Sequence, residues 1–93
     1  MSKDPWRSFL NLLLSIKSQN ELSDFFELFL TFEERETLAS RFMIIKALLE
    51  NKLTQREMSE KYKVSIAQIT RGSNALKIID PKLKEHLIKL LNE

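Results

Sequence analysis

A chain of 93 residues has room for one domain, and a domain of that size buries only about 60–65% of the surface its unfolded form exposes, so a partner subunit is a natural source of further burial. With one Gly, two Pro, no Cys and one His, the composition favours helix, so no sheet is expected, and it excludes disulfides, thiolate metal sites and a histidine cluster. The net charge of +2 is unevenly spread: residues 1–50 carry 6 basic and 8 acidic groups and residues 51–93 carry 9 and 5, which points the second half toward a polyanion or, more plainly, toward a solvated helical surface.

Met1-Ser2-Lys3-Asp4-Pro5-Trp6 lacks the layout of a cleavable signal, and Asp4-Pro5 is a helix start, with a capping acceptor ahead of a Pro at the first helical position. A helix is expected from Pro5 to Ser18 with Trp6, Phe9, Leu10, Leu13 and Ile16 on one face. Its apolar run falls far short of the roughly 20 residues a bilayer requires, so no membrane contact and a cytoplasmic protein are expected. Trp6 could stack on a ligand, but its spacing suits core or a subunit interface. Gln19-Asn20 reads as a break. Leu22, Phe25, Phe26, Leu28, Phe29 and Leu30 then form a short helix that is apolar on nearly every side and requires burial from several directions.

Thr31-Phe32-Glu33-Glu34 fits a capping box, and a third helix follows to about Asn51 with Leu38, Phe42, Ile45, Leu48 and Leu49 at the helical period. Glu33, Glu34 and Glu36 serve the cap and the helix dipole; no nucleophile or base accompanies them, and an enzyme is not expected. Two further boxes, Thr54-Gln55-Arg56-Glu57 and Ser65-Ile66-Ala67-Gln68, lie eleven residues apart. They predict helix 55–62, turn 63–65 and helix 66–78, after which Asp80-Pro81 caps a last helix carrying Leu83, Leu87, Ile88 and Leu91.

Residues 54–77 suit a helix-turn-helix, in which apolar residues lock two helices and polar ones meet the major groove. Leu53, Met58, Tyr62, Val64, Ile66, Ile69 and Leu76 supply the lock, and no acid stands between Lys61 and Lys77. Lys63 occupies the turn position that usually holds Gly, so either it adopts a left-handed conformation at a cost of about 1 kcal/mol or the turn has another shape. An ordinary pair of amphipathic helices is the alternative. Gly72 costs about 1 kcal/mol inside a helix, and a ligand, a phosphate or a neighbouring helix could approach its backbone.

The run Gln68-Ile69-Thr70-Arg71-Gly72-Ser73-Asn74-Ala75-Leu76-Lys77 resembles the reading helix of the tryptophan repressor family. Leu53 to Met58, Leu28 to Glu36 and Ser40-Arg41 agree at the family's spacing, and the resemblance covers about residues 25–91. It implies an all-α, six-helix intertwined homodimer in which residues 1–93 form a single DNA-binding domain. L-tryptophan would be the corepressor, double-stranded operator DNA the partner, and genes of tryptophan biosynthesis or uptake the targets.

By the same resemblance Arg41 and Arg71 flank the indole, Arg71 and Thr31 hold the carboxylate, carbonyls near Leu28 and Leu30 receive the ammonium group, and Gly72 lets the ring lie close. The pocket would lie between subunits, one giving residues around 28–41 and the other those around 71–75. Ala75 stands where the family has a serine, and Gln68, where it has a threonine, either narrows the pocket or turns to the DNA. Gln55, Arg56, Ile66, Ala67, Thr70 and Lys77 are implied as groove or phosphate contacts, with Ser40 at the backbone and Gln68 and Ser73 on the same helix. Ser59 is uncharged where a phosphate-binding Lys can occur. Two alternatives remain: a DNA binder of this fold with a changed or lost ligand, and a helical protein-interaction module.

Overall fold

Local hydrogen bonds at the helix ends set the architecture of the computed structural model, which describes residues 4–92 as six helices with no strand among them. The leader reading at Met1-Ser2-Lys3 lies outside the described residues. Helix α1 (Pro5–Leu14) starts where the Asp4 carboxylate accepts the Trp6 N–H at 3.0 Å. It ends at Leu14 rather than Ser18, because the Ser15 hydroxyl donates to the Leu12 carbonyl at 2.6 Å. Ser18 is instead the N-cap of α2 (Gln19–Phe29), accepting the Glu21 N–H at 3.1 Å, so the break falls before Gln19-Asn20 rather than on it.

Helix α3 (Phe32–Glu50) follows the expected box: the Thr31 N–H donates to Glu34 at 2.9 Å and the Glu34 N–H to the Thr31 hydroxyl at 3.1 Å. Both remaining boxes also form, opening α4 (Gln55–Tyr62) and α5 (Ile66–Ile78) at the residues their spacing predicts. Asp80 caps α6 (Pro81–Leu91) by accepting the Lys82 N–H at 2.8 Å. No helix among the described residues is long and apolar enough to cross a membrane.

The chain divides into two compact units, Met1–Arg35 and Glu36–Glu93. In the first, an aromatic cluster joins α1 to α2: Phe9 lies 5.8 Å from Phe25 and 5.3 Å from Phe29, and Phe25 lies 4.7 Å from Phe29. None of this unit's described residues is buried. Leu28 is 79% and Trp6 63% exposed, so the burial that α2's composition requires is not met within the chain.

The second unit holds the core: Ile44 and Ala47 of α3, Met58 of α4, Val64 of the turn and Ile69 of α5, with Leu48, Leu53 and Tyr62 packed around them. Ile66 and Leu76 were expected in this lock; Leu76 is half-buried, but Ile66 is 49% exposed at the first position of α5. The apolar stripe expected on α3 is likewise divided, since Leu38 and Phe42 are exposed whereas Ile44 and Ala47 are buried. A helix apolar on both sides gives periodicity no single face to find.

Gly72 faces α3. A Cβ there would stand 2.9 Å from Ile44 Cγ2 and 3.6 Å from Leu48 Cδ1, so the neighbour that approaches its backbone is a helix. Lys63 takes the left-handed conformation, φ 55° and ψ 46°, and ends α4 where Gly would ordinarily serve. Lys63→Gly is accordingly expected to raise stability by about 0.5–1 kcal/mol in urea denaturation. Gly72→Ala is expected to lower it by about 1 kcal/mol, because the collision with the stiff, buried Ile44 side chain exceeds the gain in helix propensity. In an Ile44→Leu background, which removes the offending methyl at nearly constant volume, that cost should shrink; equal costs in both backgrounds would rule out the collision.

Candidate functional site

Two short helices and a tight turn present the polar surface of the second unit. Met58, Val64 and Ile69 point inward, and that leaves Gln55, Arg56, Ala67, Gln68, Thr70, Asn74 and Lys77 exposed. The turn is tied from within, because the half-buried Ser59 hydroxyl donates to the Val64 carbonyl at 2.6 Å. That bond directs Ser59 into the turn. Arg56 runs along α4 toward Glu60, Nε to carboxylate 3.7 Å, with both side chains largely solvated. Helix α5 contains no acid, so its exposed face is neutral or basic throughout.

The box at α4 has an electrostatic consequence. The Thr54 backbone N–H, and then its hydroxyl, hold the Glu57 carboxyl below the ordinary glutamate value. At α5 the same arrangement uses an uncharged amide: the Ser65 N–H donates to Gln68 Oε1 at 2.8 Å and the Gln68 N–H to the Ser65 hydroxyl at 3.1 Å.

Beside that first turn lies a crevice of about 50 Å³ lined by Thr37, Arg41 and Ile44 of α3 and by Gln68 and Arg71 of α5. Two guanidinium groups therefore border one small cavity, and among the described residues neither is in a salt bridge. Such a pair suits a planar or carboxylate-bearing guest. As it stands the cavity admits a few waters.

The residues singled out from the sequence fall at several places in the structure. Arg41 and Arg71 were expected from different subunits, whereas α3 and α5 of one chain bring them together. Gly72 packs on Ile44 and Leu48, and Ala75 is exposed. Leu30 and Thr31 lie in the first unit, where with Glu27, Phe32 and Arg35 they line a separate cavity of about 190 Å³; Arg35 there reaches Glu27 at 3.8 Å. Ser40 is half-buried on α3, and half-buried Ser73 borders a cavity with Leu48, Leu76, Lys77 and Lys84. Thr37 and Ile44 were not anticipated as lining residues, although the spacing Thr37, Arg41, Ile44 marks one helical face.

Comparison with known proteins identifies relatives of this chain. The family described as Trp repressor protein matches residues 4–91. A Trp operon repressor homolog of Chlamydia caviae is 61% identical over 89 residues, spanning 96% of this chain and 88% of the relative. Another, from Chlamydia trachomatis serovar D, is 60% identical over 84 residues, spanning 90% and 89%. A third, from Haemophilus influenzae strain PittEE, is 35% identical over 88 residues, spanning 90% and 87%. An all-helical chain with these relatives is a DNA-binding regulator of transcription and not an enzyme. It belongs to the Trp repressor family.

The lowered pKa of Glu57 gives a pH signature. Its contribution to stability is present above the unfolded carboxyl value of 4.5 and is lost as the pH falls through the lower folded value. Glu57→Gln keeps an acceptor without the charge, so it should flatten the stability profile below about pH 4.5, while wild type loses stability there; thermal melts across that range decide it.

Proposed function

We propose that the chain is a tryptophan-responsive repressor that acts as a homodimer in the cytoplasm, with residues 1–93 as one DNA-binding domain. L-tryptophan is the corepressor, and the dimer blocks transcription of genes for tryptophan biosynthesis or uptake. The observation that carries this reading is the pairing of Arg41 with Arg71 in one crevice against the first turn of α5. A ligand there touches the helix that meets the DNA, so its binding energy is linked to operator affinity, and the coupling is reciprocal.

Helices α4 and α5 act as the helix-turn-helix. Gln55, Arg56, Ile66, Ala67, Gln68, Thr70, Ser73 and Lys77 meet the groove or its phosphates, and Ser40 the backbone. Arg56 is exposed and, among the described residues, paired only with a solvated Glu60, so it is available to bind both acceptors of a guanine. Ser59 contributes through the turn that its hydroxyl ties. Around the ligand, Arg41 and Arg71 take the indole and carboxylate. Thr31 and the carbonyls of Leu28 and Leu30 complete the site from the other subunit, and Gly72 keeps α5 close to α3. Without a hydroxyl at Ala75, affinity for tryptophan is reduced about three- to tenfold, the worth of one ordinary hydrogen bond. Dimerisation is supported by the unburied aromatic face of the first unit and by an open apolar cavity of about 510 Å³ lined by Leu10, Leu13, Leu14, Leu22 and Phe26.

A two-fold dimer requires an inverted repeat with half-sites about one helical turn apart. In a gel-shift titration on such a duplex, L-tryptophan at about millimolar concentration, well above even a weakened dissociation constant, is expected to tighten binding by wild type. Arg71→Ala should lose that response, and Arg56→Ala should lose about 1–3 kcal/mol of discrimination at one base pair. Binding that ignores tryptophan, with no heat in calorimetry, would favour a changed ligand, a reading to which Ala75, Gln68 and the small crevice lend weight. No binding to any duplex would leave a protein-interaction module.

A further inference from the structure

We infer that Gln68 is the positioning residue through which occupancy of the Arg41/Arg71 crevice reaches the first turn of α5. This rests on the ligand reading proposed above. One side chain serves two structures at once: its Oε1 accepts the Ser65 N–H at 2.8 Å, closing the capping box, and the same residue forms part of the crevice wall. The box of α4 offers the contrast. Glu57 closes it with the same geometry, Thr54 N–H to carboxylate at 2.9 Å, but borders none of the crevice. Of the two helix starts, only that of α5 shares a side chain with the site.

The physical link is water. Gln68 is exposed, so solvent competes for the acceptor that holds the Ser65 N–H, and the bond contributes little while the crevice is empty. A guest seated against that wall displaces the water and confines the amide to the rotamer that caps the helix. The bond then operates in a drier surrounding, where it is stronger. By reciprocity the strengthening returns as ligand affinity. Residues 65–68 lead directly into the exposed face carrying Thr70, so the turn fixed in this way orients the surface proposed to meet DNA.

The test separates this coupling from simple loss of a cap. Gln68→Ala removes the side chain that does both tasks. Ser65→Ala also weakens the cap, by deleting the hydroxyl that accepts the Gln68 N–H, but it leaves the backbone N–H of residue 65 bonded to Gln68 Oε1. Full-length wild type and both variants would be titrated with L-tryptophan by calorimetry, and amide exchange followed by NMR with and without the ligand. In wild type and Ser65→Ala, saturating tryptophan is expected to slow exchange at the residue 65 amide about tenfold or more while leaving the Thr54 amide unchanged. Gln68→Ala is expected to bind about three- to tenfold more weakly and to show no slowing at residue 65 when saturated. Equal slowing in Gln68→Ala, or equal slowing at Thr54 in wild type, overturns the inference and leaves the ligand reading intact. No saturable heat in wild type overturns the ligand reading, and this inference with it.

Discussion

The close approach of α5 to α3 at Gly72 is the constraint on which the second unit depends. With a Cβ at that position only 2.9 Å from Ile44 Cγ2, any larger residue forces the Ile44 side chain or the helices to shift. Arg71 is the neighbour of Gly72 in sequence, and Arg41 lies one helical turn before Ile44, so the contact that seats the core also sets the width of the arginine crevice. Core packing and site geometry are therefore a single variable. A core contact without slack transmits displacement, because close-packed interiors deform in discrete steps and not continuously.

The angle between α4 and α5 is determined almost entirely by local devices. The Thr54 and Ser65 boxes fix where each helix begins, left-handed Lys63 turns the chain, and the Ser59 bond to the Val64 carbonyl closes the turn from inside. Val64 and Met58 then bury beneath the turn, so the hydrogen-bonded geometry and the apolar contacts require the same chain path. The strained Lys63 persists because its neighbours over-determine it. The boxes differ in chemistry in a way that suits their positions. Glu57 adds negative charge to α4, whereas Gln68 caps α5 with a neutral amide and keeps acid away from the crevice and the basic face.

These local devices explain how much of the chain was legible in advance. Helices 55–62 and 66–78 were placed to the residue because a capping box is a short-range code whose partners lie three residues apart. The boundary of α1 and α2 was misplaced because Ser15 and Ser18 are chemically alike. Only the three-dimensional path shows that the first closes a helix and the second opens one. Gly72 signalled a close approach but not what approached, since ligand, phosphate and helix make the same demand on a backbone. The α3 stripe misled because exposed Phe42 and buried Ile44 are equally apolar. Gln68 was legible as a cap, but the sequence left open whether its side chain borders the pocket or turns to the DNA: capping is local in sequence, whereas the crevice wall depends on α3.

The first unit raises a different question, that of what keeps it ordered. Helix α1 has 10 residues and α2 has 11, lengths at which isolated helices are marginal in water. Ordering each residue costs about 1–2 kcal/mol of conformational entropy, and stacked but solvated rings recover only part of it. Because none of the unit's described residues is buried, the missing stabilisation must come from outside its own contacts. In the proposed homodimer a second copy of the chain would offer apolar surface of the same kind and make the order of α1 and α2 a function of protein concentration. In that case Leu30 and Thr31, proposed to complete the ligand site, stand in the unit that gains most from association. Under that proposal ligand affinity and dimer stability would rise together, because the same event would order both.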